Sequence, residues 1–302
     1  MFNIIRKIIY TPIVNLFLRN FLKIFKCCIP KSLKIPVSGK IKIRLDDHNS
    51  FVMVTNQTNY LTKQVFWGGI QNYEYQIIRI FMNLVTELDC FMDVGSNIGY
   101  YSLVAAKLNS RITVYAFEPL PSAFLFLQKN IEMNELHNVK AFQLALSNKE
   151  GEIDFYATKM QKALYLKHHI SGTSNLARPK DSYSEVIKVK SKTVDQFVEE
   201  NSLKKVDLIK LDTEGTENLI LEGAKSVIKR DKPIIISELL PGKIEKDLES
   251  FYKDNNYLFL ASKKEGLFPI RSLIGYSGRK EDFFFVHESK KEILQSFIIS
   301  LL

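Results

Sequence analysis

The sequence predicts an α/β fold in which a mostly parallel, seven-stranded sheet is covered by helices on both faces. From residue 91 onward, short apolar runs of strand length alternate with segments whose apolar residues recur at helical spacing. The composition, 46% hydrophobic and 25% charged over 302 residues, is typical of a globular protein with one large domain and a short extension. Parallel neighbours need a crossover connection, and helices supply it.

The predicted elements follow one another regularly along the chain. Residues 40–55 form two short apolar runs around a polar turn, which indicates an antiparallel hairpin ahead of the sheet. The sheet strands are predicted over 91–94, 112–117, 139–146, 206–211, 233–239, 257–260 and 283–286, and the last two can pair antiparallel. Helices are predicted over 73–88, 100–107, 122–133 and 217–229.

The alternation stops between residues 152 and 194. Two strands are predicted there, over 153–156 and 186–189, and the polar segment 168–184 between them is rich in Ser, Gly and Asn, which is typical of a loop. A loop of this length inside a compact domain is usually a lid or a binding loop. His168 and His169 begin it, and a histidine there can act as a base near neutral pH, although exposed structural positions are commoner.

We therefore expect four regions. Residues 1–39 are a basic amphipathic segment, 40–88 a hairpin and helix leading into the core, 89–290 the main domain, and 291–302 a tail.

The net charge of +9 is concentrated at the N-terminus. Residues 1–50 hold ten basic and two acidic residues and so carry +8 of the total. An enzyme acting on nucleic acid is expected to carry basic charge around its active-site domain as well. The nearly neutral remainder therefore argues against a nucleic-acid partner.

The N-terminal segment is apolar and basic, but too short to cross a bilayer. Its longest uncharged run is Ile8 to Leu18, eleven residues including Pro12, against roughly 20 for a spanning helix. No small-residue cleavage site follows it, which argues against a secretory signal. Two alternatives remain. Residues 1–30 can lie in a membrane interface, or they can pack an apolar face onto the main domain or a second subunit.

The cysteines indicate a reducing compartment. Cys27, Cys28 and Cys90 are odd in number and form no Cys-x-x-Cys or Cys/His cluster, so neither a disulfide framework nor a zinc site is predicted. We expect a cytoplasmic protein, peripheral on a membrane under the first alternative above. The sequence does not indicate an oligomeric state.

The strongest motif is Asp93-Val-Gly-Ser-Asn-Ile-Gly99, between a predicted strand and a predicted helix. Glycines at 95 and 99 let the backbone turn sharply and approach a ligand closely. A dinucleotide-binding loop would have a glycine where this chain has Asn97. Asp93, at the strand end, suits a cationic amino group such as the ammonium of S-adenosylmethionine.

Glu118 ends the next strand, and a carboxylate there can accept both hydroxyls of a ribose. Such a contact fits NAD and S-adenosylmethionine equally well. Together with Asp93, Gly95 and Gly99 it forms the predicted cofactor site.

Three charged residues follow the fourth strand. Lys210 and Asp212 alternate onto one face of it, and Glu214 lies just beyond its end. Asp212 or Glu214 is placed to accept a proton from a hydroxyl, although the positive charge of Lys210 would make either a weaker base. The alternative is that they organise the turn at Gly215 and cap the next helix. Asp212, Glu214 and Glu238 lack the spacing of a metal motif, so no metal site is predicted.

The chain resembles the FkbM family of methyltransferases. The matching stretches are FMDVGSNIGYYSLVA (91–105), FEPLPSAFLFLQKN (117–130), ALSNKEG (145–151), TVD (193–195) and IKLDTEGTENLILEG (209–223), followed by a strand ending at Glu238. The resemblance covers about residues 70–290 and excludes 1–40. It implies a Rossmann-like class I methyltransferase domain and S-adenosylmethionine as methyl donor. The resemblance also implies that the methionine end of the donor is lined by Asp93, Gly95, Asn97 and Gly99, the ribose by Glu118, and the adenine by Ala145, Leu146 and Ser147.

The function predicted is methylation of an oxygen acceptor, a sugar hydroxyl in a glycan or a secondary metabolite. The acceptor would lie under residues 171–176 and lose its proton to a carboxylate near Asp212. Two alternatives are an NAD-dependent oxidoreductase, which Asn97 argues against, and a non-catalytic, membrane-associated protein of methyltransferase fold.

Overall fold

The computed structural model describes residues 7–25, 28–30, 33–160, 163–172, 184–239, 242, 244–276 and 281–299. The helices are α1 Pro12–Ile24, α2 Tyr60–Gly68, α3 Tyr75–Val85, α4 Tyr100–Leu108, α5 Pro121–Met133, α6 Val194–Glu200, α7 Glu217–Glu222, α8 Lys225–Asp231 and α9 Glu245–Asp254. The strands are β1 Gly39–Arg44, β2 Ser50–Thr55, β3 Cys90–Val94, β4 Thr113–Phe117, β5 Val139–Phe142, β6 Ala145–Leu146, β7 Gly151–Thr158, β8 Ser184–Lys192, β9 Leu208–Leu211, β10 Ile234–Leu239, β11 Tyr257–Ser262, β12 Leu267–Ile270 and β13 Glu281–His287.

The central sheet is mostly parallel, as predicted, and has the strand order β12-β11-β13-β10-β9-β3-β4-β5. Parallel pairing joins β10, β9, β3, β4 and β5, whereas β13 runs antiparallel to both of its neighbours. The chain moves outward from β3 through β4 to β5 and returns to the other side of β3 at β9. The crevice at the carboxyl ends of β3 and β9 is therefore the switch point where such sheets bind ligands.

The strands place alternate side chains in two cores, one on each face of the sheet. Phe91 and Leu208 belong to one core, and Met92 and Ile209 to the other. This alternation confirms the prediction that both faces are covered.

The sheet has eight strands instead of the predicted seven. The additional strand, β12, pairs antiparallel with β11 at the edge. It contains Pro269, which argues against a strand in sequence reasoning but is tolerated at a sheet edge because its missing N–H faces no partner.

Two predicted elements are divided in the structure. The strand predicted over 139–146 becomes β5 in the central sheet and β6 in a separate sheet of order β6-β8-β7. The helix predicted over 217–229 is broken into α7 and α8 around Gly223. The carbonyl oxygen of Ser147 lies 2.2 Å from where a Cβ on residue 223 would be, so this close approach explains the glycine.

The predicted hairpin is present as β1 and β2, paired from Gly39↔Thr55 to Arg44↔Ser50. It packs on α5, whose Asn130 and Asn134 side-chain oxygens accept the N–H groups of Val54 and Val52. Buried residues of the hairpin share one hydrophobic core with β3. The part of the chain before the central sheet is thus joined closely to it.

Candidate active site

The loop between β3 and α4 turns at three residues with positive φ. These are Gly95 (80°), Asn97 (50°) and Gly99 (92°). The backbone N–H groups of Gly95 and Ser96 both donate to the carbonyl of Phe117 at 3.0 Å, which holds the loop against the end of β4. A Cβ on residue 95 would lie 2.1 Å from the carbonyl oxygen of Asp212. Both the φ angle and this close approach require glycine there.

Glu118 is buried at the end of β4 and faces the loop. Its two carboxylate oxygens accept the backbone N–H groups of Asn97 and Leu120, each at 2.8 Å. Burial raises the pKa of Glu118 to about 7 despite these hydrogen bonds. Each carboxylate oxygen can accept a further hydrogen bond, so the group can still receive hydroxyl donors from the pocket.

Asp93 is buried in β3 and receives a 2.6 Å hydrogen bond from the hydroxyl of Ser102. Burial raises the pKa of Asp93 to about 6, and the attraction of Lys210 opposes that rise. Lys210 is the neighbour of Asp93 across the β3–β9 pair. A cationic ligand group beside Asp93 would favour its charged form further.

Lys210 is a buried ammonium held by acidic groups. Its Nζ lies 2.9 Å from Oδ2 of Asp212 and 4.5 Å from the centre of the Tyr101 ring. Burial alone would lower the pKa of Lys210, but the attraction of Asp212, Glu74 and Asp93 outweighs it and raises the pKa. Lys210 therefore stays protonated and cannot be the base, so of the predicted acid/base trio only the two carboxylates remain candidates for that role.

Tyrosines that the motif did not indicate form one wall of the site. Tyr73, Tyr100 and Tyr101 line the pocket. The hydroxyl of Tyr101 donates to Oε2 of Glu74 at 2.6 Å, and Glu74 has a φ of 42°, which is uncommon for a residue other than glycine. The sequence signal available was the Tyr-Tyr pair that directly follows Gly99.

Most of the residues described so far line one pocket. It encloses about 1040 Å³ of empty space, part of which is open to solvent. The predicted residues that line it are Asp93, Gly95, Asn97, Glu118, Ala145, Leu146, Lys210 and Asp212. Gly99, Ser147 and Glu214 are not among its lining residues. A Cβ on residue 99 would lie 2.6 Å from Leu127, so Gly99 allows α5 to pack closely against the loop.

The predicted lid contributes two lining residues, Ser171 and Gly172. The rest of the predicted 171–176 segment lies outside the described residues. The approach to this loop is fixed by Asn59, whose side-chain nitrogen donates to the Asn97 side-chain oxygen at 3.0 Å and to the Ile170 carbonyl at 3.2 Å. Asn59 also lines the pocket, and nothing in the sequence pattern had marked it.

The two histidines before the lid are not among the pocket's lining residues. Nδ1 of His169 accepts the backbone N–H of Met160 at 3.1 Å. Burial lowers the pKa of both His168 and His169. For His169 the structure supports a role in shaping the loop.

Glu217 organises the turn after β9. One of its oxygens accepts the N–H groups of Thr213 and Gly215 and the Thr213 hydroxyl at 3.0–3.2 Å. This is the structural task that the sequence had offered as the alternative role for Asp212 and Glu214. Glu217 thus shares in this task, and Asp212 also lines the pocket.

Asp212, Glu214 and Glu238 converge at the edge of the site. One carboxylate oxygen of each lies within 4.8 Å of the others. Sequence reasoning named these three residues together but found no metal-motif spacing among them, because Glu238 comes from β10, the neighbouring strand. Oxygen ligands suit hard cations, but methyl transfer from a sulfonium does not in itself require a metal ion.

The sequence pattern of the methyltransferase FkbM domain matches residues 93–261, more than half of the chain. The chain belongs to the FkbM methyltransferase family. The FkbM match begins at Asp93 and contains Glu118, Lys210 and Asp212. It supports S-adenosylmethionine over NAD as the ligand of the pocket.

Two curated proteins illustrate the similarity within the FkbM family. The hexuronic acid methyltransferase AglP of Haloferax volcanii is 27% identical over 175 residues, 58% of this chain and 66% of that protein. The 2-O-methyltransferase NoeI of Sinorhizobium fredii is 26% identical over 149 residues, 47% of this chain and 59% of that protein. The chain thus matches less than two thirds of the length of either relative.

A solved structure of methyltransferase FkbM from Methylobacillus flagellatus is also similar. It shares 13% sequence identity with a TM-score of 0.42, over 74% of this chain and 65% of that one.

Proposed function

We propose that the protein transfers the methyl group of S-adenosylmethionine to a sugar hydroxyl in a glycan or secondary metabolite. The observation that carries this proposal is the convergence of Asp93, Glu118 and Asp212 on one pocket at the switch point of the sheet. The names of two relatives, a hexuronic acid methyltransferase and a 2-O-methyltransferase, support a sugar acceptor.

The cofactor fits the residues that line the pocket. Asp93 would bind the ammonium of the methionine part, and Glu118 would accept the ribose hydroxyls beside the two backbone N–H groups it already holds. Ala145 and Leu146 supply apolar surface for the adenine. When bound, S-adenosylmethionine supplies an electrophilic methyl on a sulfonium, which needs no further activation.

Asp212 is the proposed proton acceptor. As the acceptor oxygen bonds to the methyl carbon and the carbon–sulfur bond breaks, Asp212 takes the hydroxyl proton. Lys210 orients Asp212 through its 2.9 Å contact and stays protonated throughout. Glu214 is the second candidate base. The tyrosine wall and the Ser171–Gly172 segment would hold the sugar in line, and positioning of this kind supplies much of the rate.

Cofactor binding is the first test. Isothermal titration with S-adenosylhomocysteine should show about micromolar affinity for the wild type. Asp93→Ala and Glu118→Ala should bind at least about tenfold more weakly while remaining folded by circular dichroism. A folded wild type that binds NAD and not S-adenosylhomocysteine would favour the oxidoreductase. Binding of neither would favour a non-catalytic protein.

Measurements of turnover test which sugar is the methyl acceptor and which carboxylate is the general base. Uronic acids and nucleotide sugars are incubated with methyl-labelled donor, and the methylated position is found by mass spectrometry. We expect Asp212→Asn to lower kcat by about 100-fold, within the usual contribution of a general base, with donor affinity retained. Full turnover by both Asp212→Asn and Glu214→Gln would rule out either carboxylate as the base.

We also propose that the protein works in the cytoplasm and does not act on nucleic acid. Both described cysteines, exposed Cys28 and buried Cys90, are free thiols. The nearly neutral charge of residues 51–302 supports the exclusion of nucleic acid.

A further inference from the structure

Helix α1 turns its polar side toward the protein and its apolar side outward. Asn15 and Arg19, four residues apart, are buried. On the opposite side Ile13, Phe17, Phe21 and Ile24 form a continuous stripe, which we call the apolar stripe, and they are 61–76% exposed. An amphipathic helix of a globular domain normally faces the other way. The structure thus contradicts the alternative in which this apolar face packs on the main domain.

The inverted orientation is fixed by specific hydrogen bonds. The Asn15 side chain accepts the Ser38 N–H at 2.8 Å and donates to the Pro36 carbonyl at 3.1 Å. Arg19 donates to the carbonyls of Ser38, at 2.8 Å, and Lys40. Its guanidinium also lies 5.2 Å from the centre of the Phe66 ring in α2. Turning the helix over would leave these buried polar groups without partners, at a considerable cost.

The segment that contains the apolar stripe is basic. Residues 1–50 carry ten of the basic groups of the chain and only two acidic ones. Lys23 in α1 and Lys40, Lys42 and Arg44 in the adjacent β1 are all exposed. A helix with an exposed apolar face in a segment rich in lysine and arginine is the pattern that inserts into the headgroup region of anionic lipid.

We propose that α1 docks the protein on an anionic membrane surface, with the apolar stripe inserted among the headgroups. The helix lies on the surface and does not cross it, since no helix among the described residues is long and apolar enough to span a bilayer. A second copy of the chain is a poorer occupant, because it would bring its own cluster of positive charge against this one. The proposal is independent of the methyl acceptor.

Vesicle co-sedimentation of the full chain tests the proposed docking of α1 on an anionic membrane. The wild type should sediment with vesicles of equimolar phosphatidylcholine and phosphatidylglycerol, and much less with phosphatidylcholine alone or in high salt. Phe17→Ser with Phe21→Ser should weaken binding by about tenfold or more, because two large exposed apolar groups are lost. Equal sedimentation with both vesicle types would contradict the contribution of charge.

The matched control is Val186→Ser with Ile274→Ser, which removes two apolar groups that are 54% and 51% exposed on other elements. It should sediment like the wild type. S-adenosylhomocysteine affinity should be the same in all three proteins and reports that the variants fold. If the Phe17/Phe21 variant sediments like the wild type, the proposal fails. It also fails if that variant only converts a dimer into a monomer in sedimentation velocity, since the stripe would then join two copies.

Discussion

Asp93 and Glu118 show which properties of a side chain at a strand end can be predicted from sequence and which cannot. Their positions after two apolar strands indicated that both carboxylates face the ligand crevice. The sequence could not show that burial raises the pKa of Asp93 to about 6 and that of Glu118 to about 7, because the depth of a side chain depends on elements far away in the chain. Both groups are therefore poised to lose a proton near neutral pH when a ligand donates to them.

This pKa shift predicts a stability difference for Glu118→Gln. A carboxyl group whose pKa is raised by folding stabilises the folded state below about pH 4.5, and that contribution is lost as the pH rises to about 7. Glutamine does not titrate. Between about pH 5 and pH 8 the free energy of unfolding of the unliganded variant should therefore rise relative to the wild type, by about 2–3 kcal/mol. Denaturant unfolding at both pH values measures it, and a difference that does not change with pH would contradict the assigned burial.

The two adjacent tyrosines predict contrasting effects of losing a hydroxyl. Tyr101→Phe removes the hydrogen bond to the Glu74 carboxylate and should destabilise the protein by about 1–2 kcal/mol. Tyr100→Phe is the matched control, because the buried Tyr100 hydroxyl has no hydrogen-bond partner among the described residues. Its unfolding free energy should stay the same or rise, because the variant no longer buries an unpaired hydroxyl. Equal losses in thermal unfolding would show that the Tyr101 hydroxyl contributes no more than its neighbour.

At the scale of elements, the β3–α4 loop depends on one glycine. Gly95→Ala should abolish S-adenosylhomocysteine binding or folding, because the new Cβ meets the Asp212 backbone at 2.1 Å. Gly69→Ala is the control: Gly69 has a similar φ of 76°, and nothing lies within 4 Å of its added Cβ. Its ψ of −177° lies in a region that glycine alone adopts readily, so the variant should cost about 1–3 kcal/mol of backbone strain and keep its affinity. Titration and thermal unfolding of both variants test this, and similar results for the two would show that φ alone requires glycine.

Regular elements followed from their local pattern, and irregular ones did not. The strands that build the crevice, β3, β4 and β9, are continuous apolar runs bounded by turn residues, so their approximate positions were predictable. The role of Gly223 was not, because it depends on the close approach of Ser147, which is 76 positions earlier in the sequence. Helix α2 was also missed, because no glycine motif directly precedes it, unlike α4, which is equally short.

At the scale of the whole molecule, the segment between β2 and α2 ties three parts of the site together. Asn59 caps α2 by accepting the Thr62 N–H, and it also contacts the cofactor loop at Asn97 and the lid at Ile170. Sequence reasoning assigned no element between the hairpin and the helix predicted over 73–88. Such a link between distant segments is visible only once the chain has folded.

Asn59→Ala should therefore have two effects. Losing the cap and the buried hydrogen bonds should lower the free energy of unfolding by about 1–3 kcal/mol, and freeing Asn97 should weaken S-adenosylhomocysteine binding severalfold. Asn72→Ala is a suitable control, because Asn72 is exposed and its amide bonds only with Gln64. Chemical unfolding and titration of both variants measure the two effects. Unchanged affinity in Asn59→Ala would show that Asn59 supports α2 alone.

The two buried carboxylates also make the rate at which a cell degrades this protein depend on the cell's supply of methyl donor. Asp93 and Glu118 are costly to ionise until a ligand neutralises or hydrogen-bonds them, and a ligand that binds only the folded state stabilises it as its concentration rises above Kd. Proteases remove unfolded chains continuously. We expect a cell rich in methyl donor to retain more of this protein than a starved one at the same rate of synthesis, so that enzyme abundance follows donor supply.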